Sequence, residues 1–182
     1  MKFNKSVLVA FILLIIVASV CRVLGYAPQL AMAIFGGAMI KDKKLAFVLP
    51  LLSMFFSDLL YQVLYTYGYA DYGGFYEGQL INYLLIGSLT LIGFWVKGMN
   101  WTRIAIGSIA APLIFFFLSN FFVWLGGGGL GRPHTFSGLM MCYNDAVPFF
   151  RASLLNTVAF SAILFGGYYL MGRFMLERKQ LA

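Results

Sequence analysis

The chain has 182 residues, of which 62% are hydrophobic and only 10% charged, with a formal net charge of +7. That balance excludes a soluble globular domain, where roughly a quarter of residues are charged. The length suits one compact bundle, and basic residues placed between apolar runs make the partner a lipid bilayer and no nucleic acid.

The N-terminus, MKFNK followed by VLVAFILLIIVASVC, imitates a secretory signal. Val20 before Cys21 leaves neither an A-x-A site nor a lipoprotein site, so residues 6–24 read as a retained first span, closed by Cys21 and Arg22. After Tyr26-Ala27-Pro28 comes a short second span, 27–40, rich in small residues. The basic turn Lys41-Asp42-Lys43-Lys44 leads into a third span, 45–66, which contains PLLSMFFSDLLYQVLYT. The loop YGYADYGGFYEGQ precedes the fourth span, 80–97, opened by Asn82. The turn KGMNWTR precedes the fifth, 103–125, with Asn120 and Trp124 near its end. The stretch GGGGLGRPHTFSGLMMCYNDAVP reads as a long loop, 126–146, before a sixth span, 147–172. A helix of about 20 apolar residues crosses the hydrocarbon core. The expectation is therefore an all-α integral membrane protein, one domain over 1–182 built as a six-transmembrane-helix bundle.

Loops on one side hold Lys2, Lys5, Lys41, Lys43, Lys44, Lys97, Arg103, Arg173, Arg178 and Lys179; those on the other hold Arg22, Arg132 and Arg151. The excess of basic residues predicts that both termini are cytoplasmic, which six spans satisfy.

With that orientation, Asp58 lies 13 residues beyond Leu45, roughly 20 Å from the inner edge at the helical rise of about 1.5 Å per residue. Gln62 follows one turn later on the same face. Asn82, Asn120, Trp124, Arg151 and Asn156 also fall in outer halves, while the inner halves hold mostly aliphatics, Phe, Gly, Ala and a few hydroxyls. A channel or proton relay needs polar groups along its whole path. Here they converge toward one side, as in a cup that opens outward and is closed below. Asp58, paired with Arg22 or Arg151, either joins helices or forms the floor of that cup.

In the long loop, Gly126 to Gly129 read as a hinge, and Thr135 as the cap of a short helix to Asn144 lying over the cup's mouth. His134, the only histidine, reads as a solvated side chain or a contact to a bound molecule. Cys21 and Cys142 fall on the outer side, where a disulfide is permitted. The small-xxx-small pairs Ala33/Gly37, Gly107/Ala111 and Ala162/Gly166 allow close helix approach, inside the bundle or against another subunit. No serine–histidine arrangement, paired buried carboxylates, H-E-x-x-H or P-loop is present, so no enzyme activity and no ATPase is expected.

The stretches AMAIFGGAMIKDKKLAFVLPLLSMFFSDLL, FFFLSNFFVWL and GLMMCYNDAVPFFRASLLNTVAFSAILFG resemble a group of uncharacterised six-span bacterial transport proteins. That group is itself similar to the S components of energy-coupling-factor (ECF) vitamin transporters and to small solitary cobalamin transporters. The resemblance covers most of residues 20 to 167. It implies an S-component-like fold with an outward pocket under the first, third and fifth loops, and a partner transmembrane subunit with two ATPases. The positions it marks are Asp58, Asn120, Trp124, Tyr143 and Arg151, and it allows Cys142 or His134 to ligate the cobalt of a bound cobalamin.

Two functions follow. One is an uptake protein of the bacterial cytoplasmic (inner) membrane that binds a vitamin-like small molecule, corrinoids included, with no prosthetic group. Its candidate substrate-binding residues are Arg22, Asp58, Gln62, Asn82, Asn120, Trp124, His134, Tyr143 and Arg151, with stacking from Tyr69, Tyr72 and Tyr76. The other is a non-catalytic scaffold subunit of a larger membrane complex.

Overall fold

Apolar runs divided by short polar turns fold into six α-helices: α1 (Lys5–Val23), α2 (Gln29–Met39), α3 (Lys43–Thr66), α4 (Gln79–Val96), α5 (Trp101–Leu125) and α6 (Phe136–Gln180). The structure, a computed structural model, describes residues 5–127 and 131–180, with side chains over 8–127 and 131–173. No strand occurs among the described residues. The helices start where side chains can take up free backbone N–H groups. Asp42 accepts from the amides of Lys44 and Leu45 (2.9 and 3.3 Å), Asn100 from Arg103 (3.0 Å), and Thr135 from Gly138 (3.1 Å).

Four helices are long and apolar enough to cross a membrane: α3, α4, α5 and the Phe136–Arg173 part of α6. The apolar stretches of α1 (Leu8–Val23) and α2 are shorter. Leucines, isoleucines and valines such as Leu13, Val17, Leu84, Leu155 and Ile163 point outward. A surface of that kind is matched by hydrocarbon and not by water.

The centre of the bundle is α2, which packs against α3, α4, α5 and α6. Eight of its residues, from Gln29 to Gly37, are buried. Around it lie Ile86, Leu89, Val96, Ile104 and Phe165, and Phe35 meets the Phe165 ring edge-on at 5.2 Å. Where α2 crosses α4, Gly37 and Gly93 face each other so closely that a Cβ on either would overlap the other helix's backbone. Only glycine permits that approach. At the same end, positive φ at Lys97 and Gly98 turns the chain so that the Gly98 N–H reaches the Ala38 carbonyl (3.1 Å). That bond satisfies a backbone acceptor at the end of α2. By contrast, α1 packs chiefly on α3.

Connections 24–28 and 67–78, with residues 126–127 and 131–135, gather at one end of the bundle, here the tyrosine end, and 40–42 and 97–100 at the other, the lysine end. At the lysine end three of the cations lie over aromatic rings: Lys43 on Phe94, Arg103 on Trp95 and Arg173 on Tyr169.

Five helix boundaries fall within about two residues of the sequence expectation, except that the second span shortens to eleven helical residues, about 16 Å of rise. So short a helix is held by protein on all sides instead of by lipid. The larger correction concerns 126–146. Thr135 does cap a helix, but that helix does not stop at Asn144; it runs through Pro148 to Gln180 as one 45-residue rod. A proline costs one amide donor, yet in an apolar setting an unbroken helix still satisfies more backbone groups than a loop would. Leu139, Cys142, Tyr143 and Ala146 form the inward stripe that keeps this extension against the bundle. Part of the expected glycine hinge, 128–129, lies outside the described residues.

Candidate functional site

Asp58 is 1% exposed and anchors a polar cluster at the tyrosine end. Helix α3 presents it next to Ser57, toward the last turn of α1 and the first turns of α4. One carboxylate oxygen, Oδ1, pairs with the Arg22 guanidinium. The other accepts from Gln79 Nε2 and from the Tyr83 hydroxyl, both at 2.6 Å. Arg22 also donates to the Ser57 hydroxyl (2.6 Å) and lies 5.6 Å from the centre of the Tyr61 ring. Tyr61 in turn donates to the Arg22 carbonyl at 3.1 Å.

The cluster also fixes the 67–78 connection. Gln79 donates to the Gly74 carbonyl (2.9 Å), and the Gly74 amide donates to Gln62 Oε1 (3.1 Å). Gly74 sits so tightly on the Asp58 carbonyl that a side chain there would collide with it. Further along α1, Ser19 donates to the Ser53 carbonyl (2.9 Å), which extends the polar seam between α1 and α3. A buried carboxylate with three donors, one of them a cation, is chemically saturated. It joins α1, α3 and α4, and it lines neither of the clefts described next.

Those clefts follow one stripe of α5. The deeper one, about 380 Å³, runs from Pro112 to Asn120 and is walled by α6 and the α1–α2 turn at Gly25 and Ala27. Phe115, Phe116, Phe149 and Phe150 supply its apolar surface; Ser119, Asn120, Ser153 and Asn156 supply its polar groups. The shallower one, about 480 Å³, continues from Ser119 to Gly126 and is walled by the start of α4, with Tyr76, Glu77 and Asn82. Both volumes fall in the range of small-molecule sites. Below Pro112, Ala111, Ser108 and Ile104 are buried in the core.

The sequence-derived candidates therefore separate. Asn82 and Asn120 line the clefts; Asn82 donates to the Tyr76 hydroxyl (2.7 Å) and Asn120 to its own helix at Phe116 (2.7 Å). Arg22, Asp58 and Gln62 belong to the saturated cluster. Trp124 donates to the Pro133 carbonyl (3.0 Å) and packs on His134 (5.4 Å between ring centres), so both serve the α5–α6 connection. Tyr143 donates to the Phe117 carbonyl (3.1 Å) and packs on Phe116 and Phe117.

Arg151 is exposed and is not the partner of Asp58; its position on α6 turns away from the core. Arg132 pairs with Asp145 at 2.7 Å. Cys21 and Cys142 are free thiols, and Cys142 is buried against the Asn120 carbonyl. Neither it nor His134 lines a cleft, so no cobalt ligand is presented there. Among the described residues no group of three or more His, Cys, Asp or Glu could hold a metal.

Sequence reading missed Gln79 and Tyr83, although their i, i+4 spacing at the start of a span places two polar groups on one face. Ser119 and Ser153 were missed because single serines in apolar helices usually bond their own backbone.

No curated protein and no solved structure matches the chain. A family model does match, over residues 1–180, and the protein belongs to that family: a family of unknown function, DUF6580.

Proposed function

We propose that this is a six-span protein of the bacterial cytoplasmic membrane, both termini inside, that binds a vitamin-like small molecule from outside and delivers it inward, in the manner of an S component. The observation that carries this reading is the cleft along α5. It runs along α5 from the tyrosine end to Pro112, below which the core is packed, and its deeper part sets uncharged polar groups among aromatic rings. That is the usual form of a small-molecule site. The excess of basic residues at the lysine end supports an orientation with this mouth outward. An ECF-type transmembrane subunit with ATPases would supply energy, since the chain has no P-loop of its own.

Purification in mild detergent followed by mass spectrometry of co-purifying small molecules tests the reading. One stoichiometric compound, lost on widening or filling the cleft, is the expected result. A preparation that carries no compound, even from rich medium, counts against it.

A second reading, a scaffold subunit of a larger complex, is favoured by unoccupied small-residue positions on α6. Ala162 is exposed, and a Cβ added at Gly166, Gly167 or Gly172 would meet nothing within 4 Å. Bulky residues at 166 and 167 that abolish co-purification of other membrane proteins, with the cleft variants silent, would favour that reading.

A further inference from the structure

The deep cleft is lined by no charged side chain among the described residues. Three cations stand at the tyrosine end, and each is placed elsewhere. Arg22 is held by Asp58, Arg132 by Asp145, and Arg151 is exposed outside both linings. The shallow cleft, which forms the mouth, carries one formal charge, the carboxylate of Glu77. An anion entering this path would pass a negative group and lose its hydration with no full positive charge to replace it.

The feature that acts the other way is the N-terminus of α2, which adjoins Ala27 and has no side-chain cap. A helix end carries only about half an elementary charge, short of what a desolvated carboxylate or phosphate needs. The cleft's own chemistry is neutral. Phe115, Phe116, Phe149 and Phe150 offer ring faces and edges, and the amide of Asn156 makes no hydrogen bond among the described residues. An amide in that state can both donate to and accept from a bound molecule.

We propose that the cleft takes a ring-bearing molecule without negative charge, held by stacking on the phenylalanines and by amide- or hydroxyl-type hydrogen bonds to Asn156, Ser153 and Ser119. This rests on the reading of the cleft as the ligand site, and it narrows the substrate class to neutral or cationic aromatics. Carboxylated and phosphorylated compounds are excluded as ligands.

The test uses the full-length protein in lipid nanodiscs and two isosteric probes, 2-naphthamide and 2-naphthoate, with affinity measured by calorimetry. An Ala152→Trp variant fills the cleft from an exposed position on α6. The expected result is that 2-naphthamide binds, that 2-naphthoate binds at least about 100-fold more weakly, and that Ala152→Trp removes binding without lowering the melting temperature. If both probes bind within a factor of about three and both are lost in Ala152→Trp, the charge rule is overturned while the cleft stands as the site. If neither probe binds, or binding survives in Ala152→Trp, the cleft reading falls and this inference with it.

Discussion

Two polar regions share the tyrosine end of this bundle and differ in how fully their groups are used. Around Asp58, each oxygen of the carboxylate has its donors, and the participants come from α1, α3, α4 and the 67–78 connection. Along α5, the polar groups are neutral, spaced among aromatic rings and only partly engaged with the protein. Saturation is what a structural fastening needs, because an unmet buried charge is expensive. Spare hydrogen-bonding capacity is what a binding surface needs, because a ligand must find something left to bond. The residue that looks most functional in the sequence is thus a fastening, and the less conspicuous asparagines and serines face the cleft.

The largest expected effect tests the fastening. Asp58→Ala strands the Arg22 cation and should cost about 3–5 kcal/mol, read as a lower unfolding midpoint in detergent. The double variant Arg22→Met/Asp58→Leu should recover most of that loss, since an apolar pair leaves no charge unmet. If Asp58→Ala stayed as stable as the parent but lost its ligand, the division between the two regions would be wrong.

Next comes Gly93→Ala. The added methyl group must push α4 off α2 at Gly37, with an overpacking cost of about 1–3 kcal/mol. Thermal unfolding checks this, and a change below the lower bound would mean the two helices can part freely. Trp124→Phe removes the indole N–H bond to Pro133 and should cost about 1 kcal/mol, visible as faster proteolysis of the α5–α6 connection. Smallest in stability is Asn156→Leu, within about 0.5 kcal/mol, yet it should deplete any co-purified compound. A stable Asn156→Leu protein with full ligand content would move the binding groups elsewhere.

Much of the fold was legible in the chain because lipid demands long apolar helices and leaves turns to be marked by Asp42, Asn100 and the glycines. The exception is instructive. HTFSGLMMCYNDAVP contains enough polar residues and a proline to read as a loop holding only a short helix, Thr135 to Asn144, but its helical stripe of Leu139, Cys142 and Ala146 continues into the following span. The stripe packs on α5, and that tertiary contact is what the polar residues and the proline obscure in the sequence. The site was legible only in part. Asp58 was noticed because charge is rare in such a chain, and its partner Arg22 was one of two candidates. Choosing between Arg22 and Arg151 depended on which helix packs against α3, which pairwise spacing does not encode. Asn82 and Asn120 were found as polar residues near helix ends, whereas Ser119 and Ser153 carry no signal that separates them from ordinary helix serines.

The continuous helix α6 spans about 68 Å at 1.5 Å per residue, more than twice the roughly 30 Å of a bilayer's hydrocarbon core. Its rise cannot be contained in the lipid at any ordinary tilt, so its two ends reach past the hydrocarbon. Swinging it by about 5° around its midpoint would carry each tip about 3 Å in opposite directions. Because the arm at the tyrosine end bears Phe149 and Asn156 on the cleft, a rigid swing that widened the cleft there would move the helix at Arg173 the opposite way.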